Sequence, residues 1–564
     1  MIVRRAIPDA HRVLLAHGVP PLLARVFAAR GIADPRELDH SLSALPDFTS
    51  MANVDAAAAR LARAIDQHER ILVVADYDAD GATACAVALL GLRAMGGDVD
   101  FLVPNRFEFG YGLTPEIVAI AAQRAPRLLV TVDNGIASVD GVRAAAACGI
   151  DVLVTDHHLP GPELPHPAII VDPNQPGCGF TSKHIAGVGV IFYVLCALRA
   201  RLRAHGAFAG RAAPNLASLL DLVALGTVAD VVRLDHVNRI LVEQGLARIR
   251  SGRARPGITA LFAVAGRDVA QATATDLGFV AGPRLNAAGR LADMALGIRC
   301  LLAGNDADAQ PIARELDRLN RERRDIESSM HDEALADVEA AADPSDTSYT
   351  LCAYRPQWHQ GVIGIVASRL KDRHHRPVVV FARAGESELR GSGRSIAGFH
   401  LRDALDLVSK RAPGTILRFG GHAYAAGVSI AIGALPCFAE AFEAVAREQL
   451  CDAALRRTHE SDGALAPGEL TYELGVAFRR RAWGQGFPAP AFDGMFDVAD
   501  QRMVGDAHAR LTLVRERERF AAIAFRAQAP LPSRIHALFR PEIHTFQGLS
   551  SLELVIDYWT DAQS

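Results

Sequence analysis

The chain has 564 residues, 50% of them apolar, and a formal net charge of −4 at pH 7. The length predicts three or four domains, and the apolar content excludes wholesale disorder. The small net charge excludes a chain that is basic throughout, but it is compatible with a local basic groove. No apolar run reaches the roughly 18 residues of a membrane span, and no signal-peptide core opens the chain. The eight cysteines include no Cys-x-x-Cys pair, which predicts reduced thiols in a cytoplasmic protein.

Taken in chain order, the residue patterns predict five segments. Residues 1–50 hold apolar helical pieces broken by prolines, and no chemistry can be assigned to them. Residues 51–306 alternate strands and helices, which indicates a doubly wound α/β domain with a mainly parallel sheet. Residues 307–345 predict a long helix linking two lobes, with a peripheral packed helix as the alternative. Residues 346–455 predict a second, smaller α/β domain, and the short alternating runs of residues 460–564 predict an OB-like β-barrel.

Acidic and imidazole side chains follow three predicted buried strands, at the point where each strand ends. The strands are residues 71–75, 128–132 and 150–155, and the side chains that follow them are Asp76, Asp78 and Asp80, then Asp133, then Asp156, His157 and His158. The carboxyl ends of parallel strands share one edge of an open sheet, and so many carboxylates repel one another unless cations lie among them. Aspartate and histidine without cysteine suit Mn²⁺ or Mg²⁺.

Single clusters also admit simpler interpretations. The Asp-x-Asp-x-Asp-Gly motif at residues 76–81 taken alone is compatible with a calcium loop or a solvated acidic turn, but an apolar helix follows it and the EF-hand glutamate is missing. Asp230 comes after the apolar segment 219–229, where a charge needs a partner or a metal ion. A simple helix-end carboxylate is the alternative for Asp230.

Glycine-rich loops with basic or polar side chains predict a phosphate-rich substrate. Glycines allow close backbone approach, and successive amides at helix starts favour anions. Each loop taken alone is equally compatible with a structural turn, but several of them occur together with the predicted metal site. Their candidate substrate-binding residues are Arg106 in the first domain, Arg284, Asn286 and Arg290 in the loop of residues 282–290, and His359, Ser392, Arg394, Ser395, Gly420, Gly421 and His422 in the second lobe.

The ordered motifs resemble those of the DHH phosphoesterase superfamily. Asp-Tyr-Asp-Ala-Asp-Gly, Asp-Asn-Gly-Ile, Thr-Asp-His-His and Thr-Val-Ala-Asp are similar to its N-terminal domain, and Gly420-Gly421-His422 is similar to its associated C-terminal domain. Together with residues 284–290 and 419–427, the set is similar to the RecJ-like single-stranded-DNA-specific exonucleases within that superfamily. The resemblance is firm from residue 71 to residue 427 and looser over the C-terminal barrel.

The resemblance implies an enzyme that degrades single-stranded DNA from 5′ to 3′ into 5′-mononucleotides, in recombination and repair, with two divalent cations, Mn²⁺ or Mg²⁺. It implies that one ion takes Asp78, that the other takes Asp80, His157 and Asp230, and that Asp133 bridges them. It also implies that Asp76 supports the first ion, that His158 contacts a phosphate or holds Asp133, and that Asp156 orients the histidines. These three residues are the candidate catalytic side chains outside the ligand set.

The resemblance further implies how the strand and the protein partners bind. Arg106, Ser392 and Arg394 would anchor the terminal 5′-phosphate, and Arg290 and the barrel would track the strand. Partners would be single-stranded DNA, a single-strand-binding protein and a helicase, with no membrane. On the barrel we expect a basic patch at one hairpin, formed by Arg510, Arg515, Arg517, Arg519 and Arg526. Two rival functions are a small-molecule DHH phosphodiesterase or pyrophosphatase and a non-catalytic DNA-binding relative.

Overall fold

The structure is a computed structural model that describes residues 1–104, 112–341, 348–505, 508–527, 530–546 and 549–562. The chain divides into two compact units, one of Ile2–Asp317 with His459–Ser564 and the other of Arg318–Thr458 with Met1. Among the described residues, no helix combines the length and the apolar character that a membrane crossing requires.

The first unit is built around a parallel five-stranded sheet. Before it come one short strand and three helices: β1 (Ile2–Arg4), α1 (Ala10–Ala16), α2 (Pro21–Ala28) and α3 (Val54–Asp66). The sheet and its helices are β2 (Ile71–Ala75), α4 (Ala79–Ala94), β3 (Val99–Leu102), α5 (Pro115–Ala122), β4 (Leu128–Val132), α6 (Val139–Ala147), β5 (Asp151–Thr155), β6 (Ile169–Val171) and α7 (Gly187–Ala204).

The strand order of this sheet is β3-β2-β4-β5-β6, and all four pairings are parallel. Every residue of β2 and β4 is buried, as expected for apolar strands covered on both faces. Helices α5 and α6 pack on one face, and α4 and α7 contact the strands from the other. The predicted doubly wound parallel sheet is therefore confirmed.

A helical region follows the sheet. It consists of α8 (Leu220–Ala229), α9 (His236–Arg250), α10 (Pro256–Val264), α11 (Ala274–Asp276), α12 (Gly282–Leu291), α13 (Ala295–Leu302) and α14 (Asp306–Ala341). A π-helical turn, Leu277–Ala281, joins α11 to α12. Helix α14 has 36 residues and contributes to both units, because the division falls between Asp317 and Arg318. The predicted long linking helix is confirmed.

The second unit is a smaller α/β domain. Its elements after α14 are β7 (Leu351–Tyr354), α15 (Ile363–His374), β8 (Val378–Ala384), β9 (Glu388–Arg394), α16 (Leu401–Arg411), β10 (Ile416–Gly421), β11 (Ala425–Ala431) and α17 (Leu435–Gln449). The sheet order is β10-β11-β9-β8-β7, with only the β7–β8 pair parallel. Helices α16 and α17 bury one face of the sheet, while α14 and α15 cover the other.

The last segment closes a five-stranded barrel. Its elements are β12 (His459–Ser461), α18 (Tyr472–Arg479), β13 (Phe492–Val504), β14 (His508–Arg515), β15 (Glu518–Phe525), β16 (Arg534–Phe546) and β17 (Leu549–Asp561). The barrel order is β13-β14-β15-β17-β16, which is OB-like and confirms the predicted barrel. Strand β12 pairs in parallel with β1, a pairing that the sequence patterns did not indicate. The predicted domain limits stay predictions.

Candidate metal centre and substrate sites

The acidic turn after β2 is fixed by its own backbone. Asp78 caps helix α4, because its Oδ1 accepts a hydrogen bond from the Gly81 amide at 3.0 Å. A Cβ on Gly81 would lie 2.5 Å from the Asp76 carbonyl oxygen, so only glycine permits this tight turn. Asp76, Asp78 and Asp80 are thereby held at the strand-to-helix junction that the sequence predicts.

Asp80 is fully buried and is held by the start of helix α7. Its carboxylate accepts hydrogen bonds from the Gly187 amide at 2.7 Å and the Val188 amide at 3.0 Å. Burial, together with the negative charges of Asp230 and Asp78, raises the pKa of Asp80 well above its ordinary value. A carboxylate in this position needs a cation to stay ionised near neutral pH.

Asp133 lies at the carboxyl end of β4 with a left-handed backbone, φ +63°. Its Oδ1 is 3.1 Å from His157 Nε2, and Asp230 Oδ2 lies 3.5 Å from the same nitrogen. Burial, followed by the charge of Asp80, raises the pKa of Asp133 well above its ordinary value. Burial, followed by the charge of Asp78, raises the pKa of Asp230 to about 7.

These side chains form three overlapping sets of potential ligand atoms, each within 4.8 Å. The sets are Asp80, His157 and Asp230; Asp76, Asp78 and Asp133; and Asp133, His157 and His158. The structure therefore brings together all seven of these side chains, and Asp133 and His157 each belong to two sets. Buried oxygen and imidazole ligands without thiolate suit Mn²⁺ or Mg²⁺, and the raised pKa values show that the carboxylates lack compensating charge without them.

Asp156 organises the two histidines. Its Oδ1 accepts from His158 Nδ1 and from the His157 amide, both at 2.8 Å, and its Oδ2 accepts from the Ile136 amide at 2.9 Å. Burial alone would raise the pKa of Asp156, but the hydrogen bond and charge of His158 lower it below its ordinary value. Burial would lower the pKa of His158, and Asp156 instead raises it to about 9.

Two of the residues predicted to bind substrate form hydrogen bonds or ion pairs with other protein groups in this structure. Asn286 Oδ1 accepts from the Ala79 amide at 2.8 Å, so it positions the acidic turn. Arg284 pairs with Asp317 at 2.8 Å and donates to the Val280 carbonyl at 2.7 Å. Arg290 is half-buried near the end of α12. Substrate contacts by these residues stay predictions, and Arg106 lies outside the described residues.

Sequence reasoning missed three supporting groups. The amides of Gly187 and Val188 hold Asp80, and Asn174 donates from Nδ2 to the His157 carbonyl at 2.6 Å. The Gly-Val-Gly run at residues 187–189 that opens an apolar helix is the signal that indicates an anion-binding helix start. Asn174 carries no comparable signal, because its role depends on a contact between two loops.

In the second unit, Ser392 and Arg394 lie side by side on β9. Arg394 Nη1 donates to Ser392 Oγ at 3.1 Å and to the Gly393 carbonyl at 2.8 Å. A Cβ on Gly364 would lie 2.9 Å from that hydroxyl and 3.0 Å from Arg394 Nη2, so both groups lie against the first turn of α15. Burial lowers the pKa of Arg394, and within the described chain no carboxylate offsets this.

The remaining predicted residues of this unit form loop contacts. Ser395 Oγ donates to the Phe399 carbonyl at 2.7 Å, and His359 Nδ1 accepts from the Gly361 amide at 3.1 Å. Gly420 and Gly421 end β10, and the His422 amide donates to the Ala425 carbonyl at 2.8 Å in the turn to β11. The structure therefore groups Ser392 and Arg394 with the start of α15 and places the other residues in neighbouring turns.

Comparison with known proteins gives matches along nearly the whole chain. The family model for the DHH family N-terminal domain matches residues 70–227, that for the DHHA1 domain matches residues 346–448, and that for the RecJ OB domain matches residues 461–558. The single-stranded-DNA-specific exonuclease RecJ of Dickeya dadantii strain 3937 is 48% identical over 556 residues, which cover 96% of each chain.

Two solved structures agree with these matches. The crystal structure of RecJ from Thermus thermophilus in complex with Mn²⁺ has a TM-score of 0.83 and 31% identity, and the match covers 100% of this chain and 79% of that one. The complex of RecJ from the same organism with Mg²⁺ has a TM-score of 0.77 and 28% identity, with 100% and 78% covered. The chain belongs to the RecJ family of the DHH superfamily.

Proposed function

We propose that the protein is a metal-dependent exonuclease specific for single-stranded DNA, which cuts from the 5′ end and releases 5′-mononucleotides in recombination and repair. The observation that carries this proposal is the convergence of Asp76, Asp78, Asp80, Asp133, His157, His158 and Asp230 into three overlapping ligand sets. The naming of the relative at 48% identity as a single-stranded-DNA-specific exonuclease supports the substrate.

The ligand sets support two divalent cations, Mn²⁺ or Mg²⁺. We assign Asp78 and Asp76 to one ion and Asp80, His157 and Asp230 to the other, with Asp133 shared, because Asp133 contacts both groups. Two such cations, when bound, activate a water molecule and stabilise the attacking and leaving oxygens of a phosphoryl displacement. Asp80 is held by backbone amides, which fixes its carboxylate before any ion arrives.

Asp156 and His158 act on the substrate side of this centre. The hydrogen bond from His158 Nδ1 to Asp156 fixes the ring, and Asp156 raises the pKa of His158 above its ordinary value. A protonated imidazole is a charged donor for a phosphate oxygen. We therefore assign phosphate contact to His158 and orientation of both histidines to Asp156.

The 5′-phosphate site is proposed at Arg394 and Ser392. A half-buried guanidinium without a carboxylate partner, a hydroxyl and a helix start converge there, and such donors suit a terminal phosphate. Arg106 is proposed to join them. We extend the proposal to a helicase and a single-strand-binding protein as partners, because a nuclease that accepts only single strands depends on others to expose them.

Cysteine chemistry supports a cytoplasmic location. All eight cysteines are free in the structure, and burial raises the pKa of Cys85 and Cys300, to about 12 in Cys300. Free thiols are typical of proteins from reducing compartments.

We expect Asp133→Asn to abolish hydrolysis while DNA binding persists. The amide keeps the size of the side chain but removes the negative charge shared by two ligand sets, so the positions of both cations are lost. The measurement is digestion of single-stranded and duplex DNA, labelled at either end, with Mn²⁺, and identification of the products. Asp140→Asn, an exposed acid paired with Arg143, is the control. A rate above roughly a tenth of wild type, about 1.4 kcal/mol of barrier, would contradict the shared role.

A further inference from the structure

We propose that three arginines at the junction between the α/β domain and the barrel form a binding site for the backbone phosphates of single-stranded DNA. The site is a cavity of about 350 Å³ that we call the junction cavity. Its functional lining residues are Arg250, Gln271, Tyr472, Arg479, Arg480 and Ser550. The proposal rests on the proposed function, because it assigns a strand-binding site to a nuclease that acts on single strands.

The arginines reach the cavity from two helices. Arg250 ends α9, Arg479 ends α18, and Arg480 caps α18. Arg250 Nε donates to the Ala272 carbonyl at 2.7 Å and Nη1 donates to the Arg480 carbonyl at 3.4 Å, while Arg479 Nη2 donates to the Gln271 carbonyl at 3.4 Å. All these acceptors are neutral backbone carbonyls, so the hydrogen bonds position the guanidinium groups without neutralising them.

Arg250 carries an unmet hydrogen-bonding requirement. Its Nη2 is buried and has no hydrogen-bond partner among the described residues. A buried donor left unpaired is costly, and a guanidinium is selective for oxyanions. The described residues therefore leave part of the hydrogen-bonding capacity of Arg250 unused.

The positive charges of the three arginines also favour binding of an anion. Burial lowers the pKa of Arg250, and the positive charges of Arg479 and Arg480 lower it further, against opposing effects of Glu243 and Asp276. The three positively charged side chains are therefore close together, and the nearby carboxylates do not fully offset the effect of burial and mutual repulsion on Arg250. Bound phosphate groups would reduce this repulsion between the arginines. Binding would also release the counterions of those phosphates into solution, which is entropically favourable.

Two arginines of the same unit, Arg540 and Arg515, form ion pairs with carboxylates, unlike the arginines of the junction cavity. In the adjacent cavity, Arg540 pairs with Asp557 at 2.8 Å and with Glu542 at 2.6 Å. On the barrel hairpin, where the sequence predicts a basic patch, Arg515 pairs with Glu518 at 3.1 Å. Within the described residues, neither Arg479 nor Arg480 forms an ion pair, although Glu542, which lines the adjacent cavity together with Arg479, attracts Arg479. The junction cavity therefore contains two guanidinium groups that no paired carboxylate neutralises.

An aromatic side chain favours a nucleotide chain over inorganic phosphate. Tyr472 lines the cavity and is 42% exposed, which leaves its ring available to a base. Proteins that bind single strands without sequence preference commonly use arginines to bind the phosphate backbone and aromatic side chains to stack on the bases. A free mononucleotide has the same two parts, so the experiment must separate a strand from a released product.

The test compares Arg479→Ala/Arg480→Ala with wild type in the full-length protein. Binding of a long fluorescent single strand is measured by anisotropy in EDTA over a series of salt concentrations. Loss of two phosphate contacts lowers the salt slope by about 1.4, at about 0.7 per contact for single strands, and weakens binding roughly tenfold or more. Tyr472→Ala weakens binding at least about fivefold with the slope unchanged. Cleavage of a trinucleotide stays at the wild-type rate in all variants.

The control is Arg253→Ala, an exposed arginine after α9 that donates to Ser251 Oγ at 3.0 Å and does not line the cavity. A double variant with the slope and affinity of this control would overturn the proposal. So would weaker binding of dAMP with unchanged binding of the long strand, which would identify a product site. If the double variant unfolds at a lower temperature than wild type, the single variant Arg480→Ala, at an exposed residue, is measured in its place. The expected decrease in its salt slope is about 0.7. If the wild-type protein fails to degrade single strands with Mn²⁺, the proposed function is wrong. The salt slopes of DNA binding, measured in EDTA, still test whether the junction cavity binds the strand.

Discussion

Asp133 is the residue on which the arrangement of the candidate metal centre depends most. It belongs to two of the three ligand sets, and its backbone adopts φ +63°, a conformation that few non-glycine residues adopt. Gly187 lies directly against it, since a Cβ on Gly187 would be 2.6 Å from Asp133 Oδ1. Such strained backbone persists where the surroundings impose it, and functional sites are where it concentrates.

We expect Gly187→Ala to lower kcat about a hundredfold and to raise the Mn²⁺ concentration that half-maximal activity requires. The added methyl group would lie 2.6 Å from Asp133 Oδ1 and 2.7 Å from its Cβ, so the carboxylate has to move, and a shift of about 1 Å can cost about 100-fold in rate. Steady-state kinetics over an Mn²⁺ titration measure both effects. Gly210→Ala is the control, because a Cβ there meets nothing within 4 Å. Equal kinetics in the two variants would contradict the packing argument.

At this scale the sequence predicts the reactive side chains but not their supports. Asp133 and His157 follow apolar strands, and strand ends share one edge of a sheet, so their convergence can be inferred without coordinates. The sequence predicts Asn286 as a substrate-binding residue but does not indicate that its side chain accepts a hydrogen bond from the Ala79 amide, 207 residues away in the chain. Contacts between segments so far apart are not encoded in local pattern or spacing.

At the level of elements, the N-terminal segment is tied to the barrel region. Strand β1 pairs in parallel with β12, Ile2 opposite His459. Arg4 pairs with Asp493 on β13 at 2.8 Å, and the buried Arg30 pairs with Asp462 at 2.8 Å. The sequence predicts only helical pieces over residues 1–50, because a strand of three residues shows no measurable alternation and its partner is distant in sequence.

We expect Asp493→Asn to destabilise the protein in a pH-dependent way. Burial would raise the pKa of Asp493, but hydrogen bonds from Arg4, Ser461 and His536 lower it to about 2. Because this pKa lies below the value in the unfolded chain, ionised Asp493 stabilises the folded state above about pH 4, and the contribution is lost as the pH falls towards 2. It amounts to roughly 1–2 kcal/mol, since Arg4 is 61% exposed and solvent screens the pair.

The measurement for Asp493→Asn is the urea midpoint between about pH 7 and about pH 3. The difference from wild type should be largest above about pH 5 and should narrow towards pH 3. Asp497→Asn on the same strand is the control, because Asp497 is exposed and lies 3.7 Å from Arg534. A difference between Asp493→Asn and wild type that stays constant over this range would show that packing, not charge, is what Asp493 contributes.

At the level of the whole molecule, the two units supply different parts of the proposed chemistry. The three potential ligand sets found among the described residues lie in the unit that contains Ile2–Asp317, and the Ser392–Arg394 pair lies in the unit that contains Arg318–Thr458. The architecture of both could be predicted, because apolar runs and helical spacing mark their elements. The order of the barrel strands could not be predicted, because it is set by pairings such as β15 with β17, which no local pattern specifies.

Arg394, in the unit that contains Arg318–Thr458, is the residue that tests the proposed recognition of the strand end. An exonuclease that starts at a 5′ end must distinguish that end from internal phosphodiesters, and a terminal phosphate offers an extra charge and an extra oxygen. Arg394 has Ser392 and the start of α15 beside it and, among the described residues, no carboxylate to occupy it. The prediction is therefore a loss of selectivity for the phosphorylated end rather than a general loss of activity.

We expect Arg394→Ala to lower kcat/KM on 5′-phosphorylated single strands by one to two orders of magnitude, since a hydrogen bond to a charged group contributes about 1.5–3 kcal/mol. The loss on 5′-hydroxyl strands should be much smaller, so the difference between the two substrates narrows. The measurement is kcat/KM on 5′-phosphorylated and on 5′-hydroxyl strands for wild type, Arg394→Ala and the control Arg390→Ala. Arg390 is a half-buried arginine on the same β-strand, and its side chain donates to Gln360 at 3.5 Å. An equal loss on both ends in Arg394→Ala would mean that Arg394 grips the strand generally, and end recognition would then have to come from elsewhere in the chain.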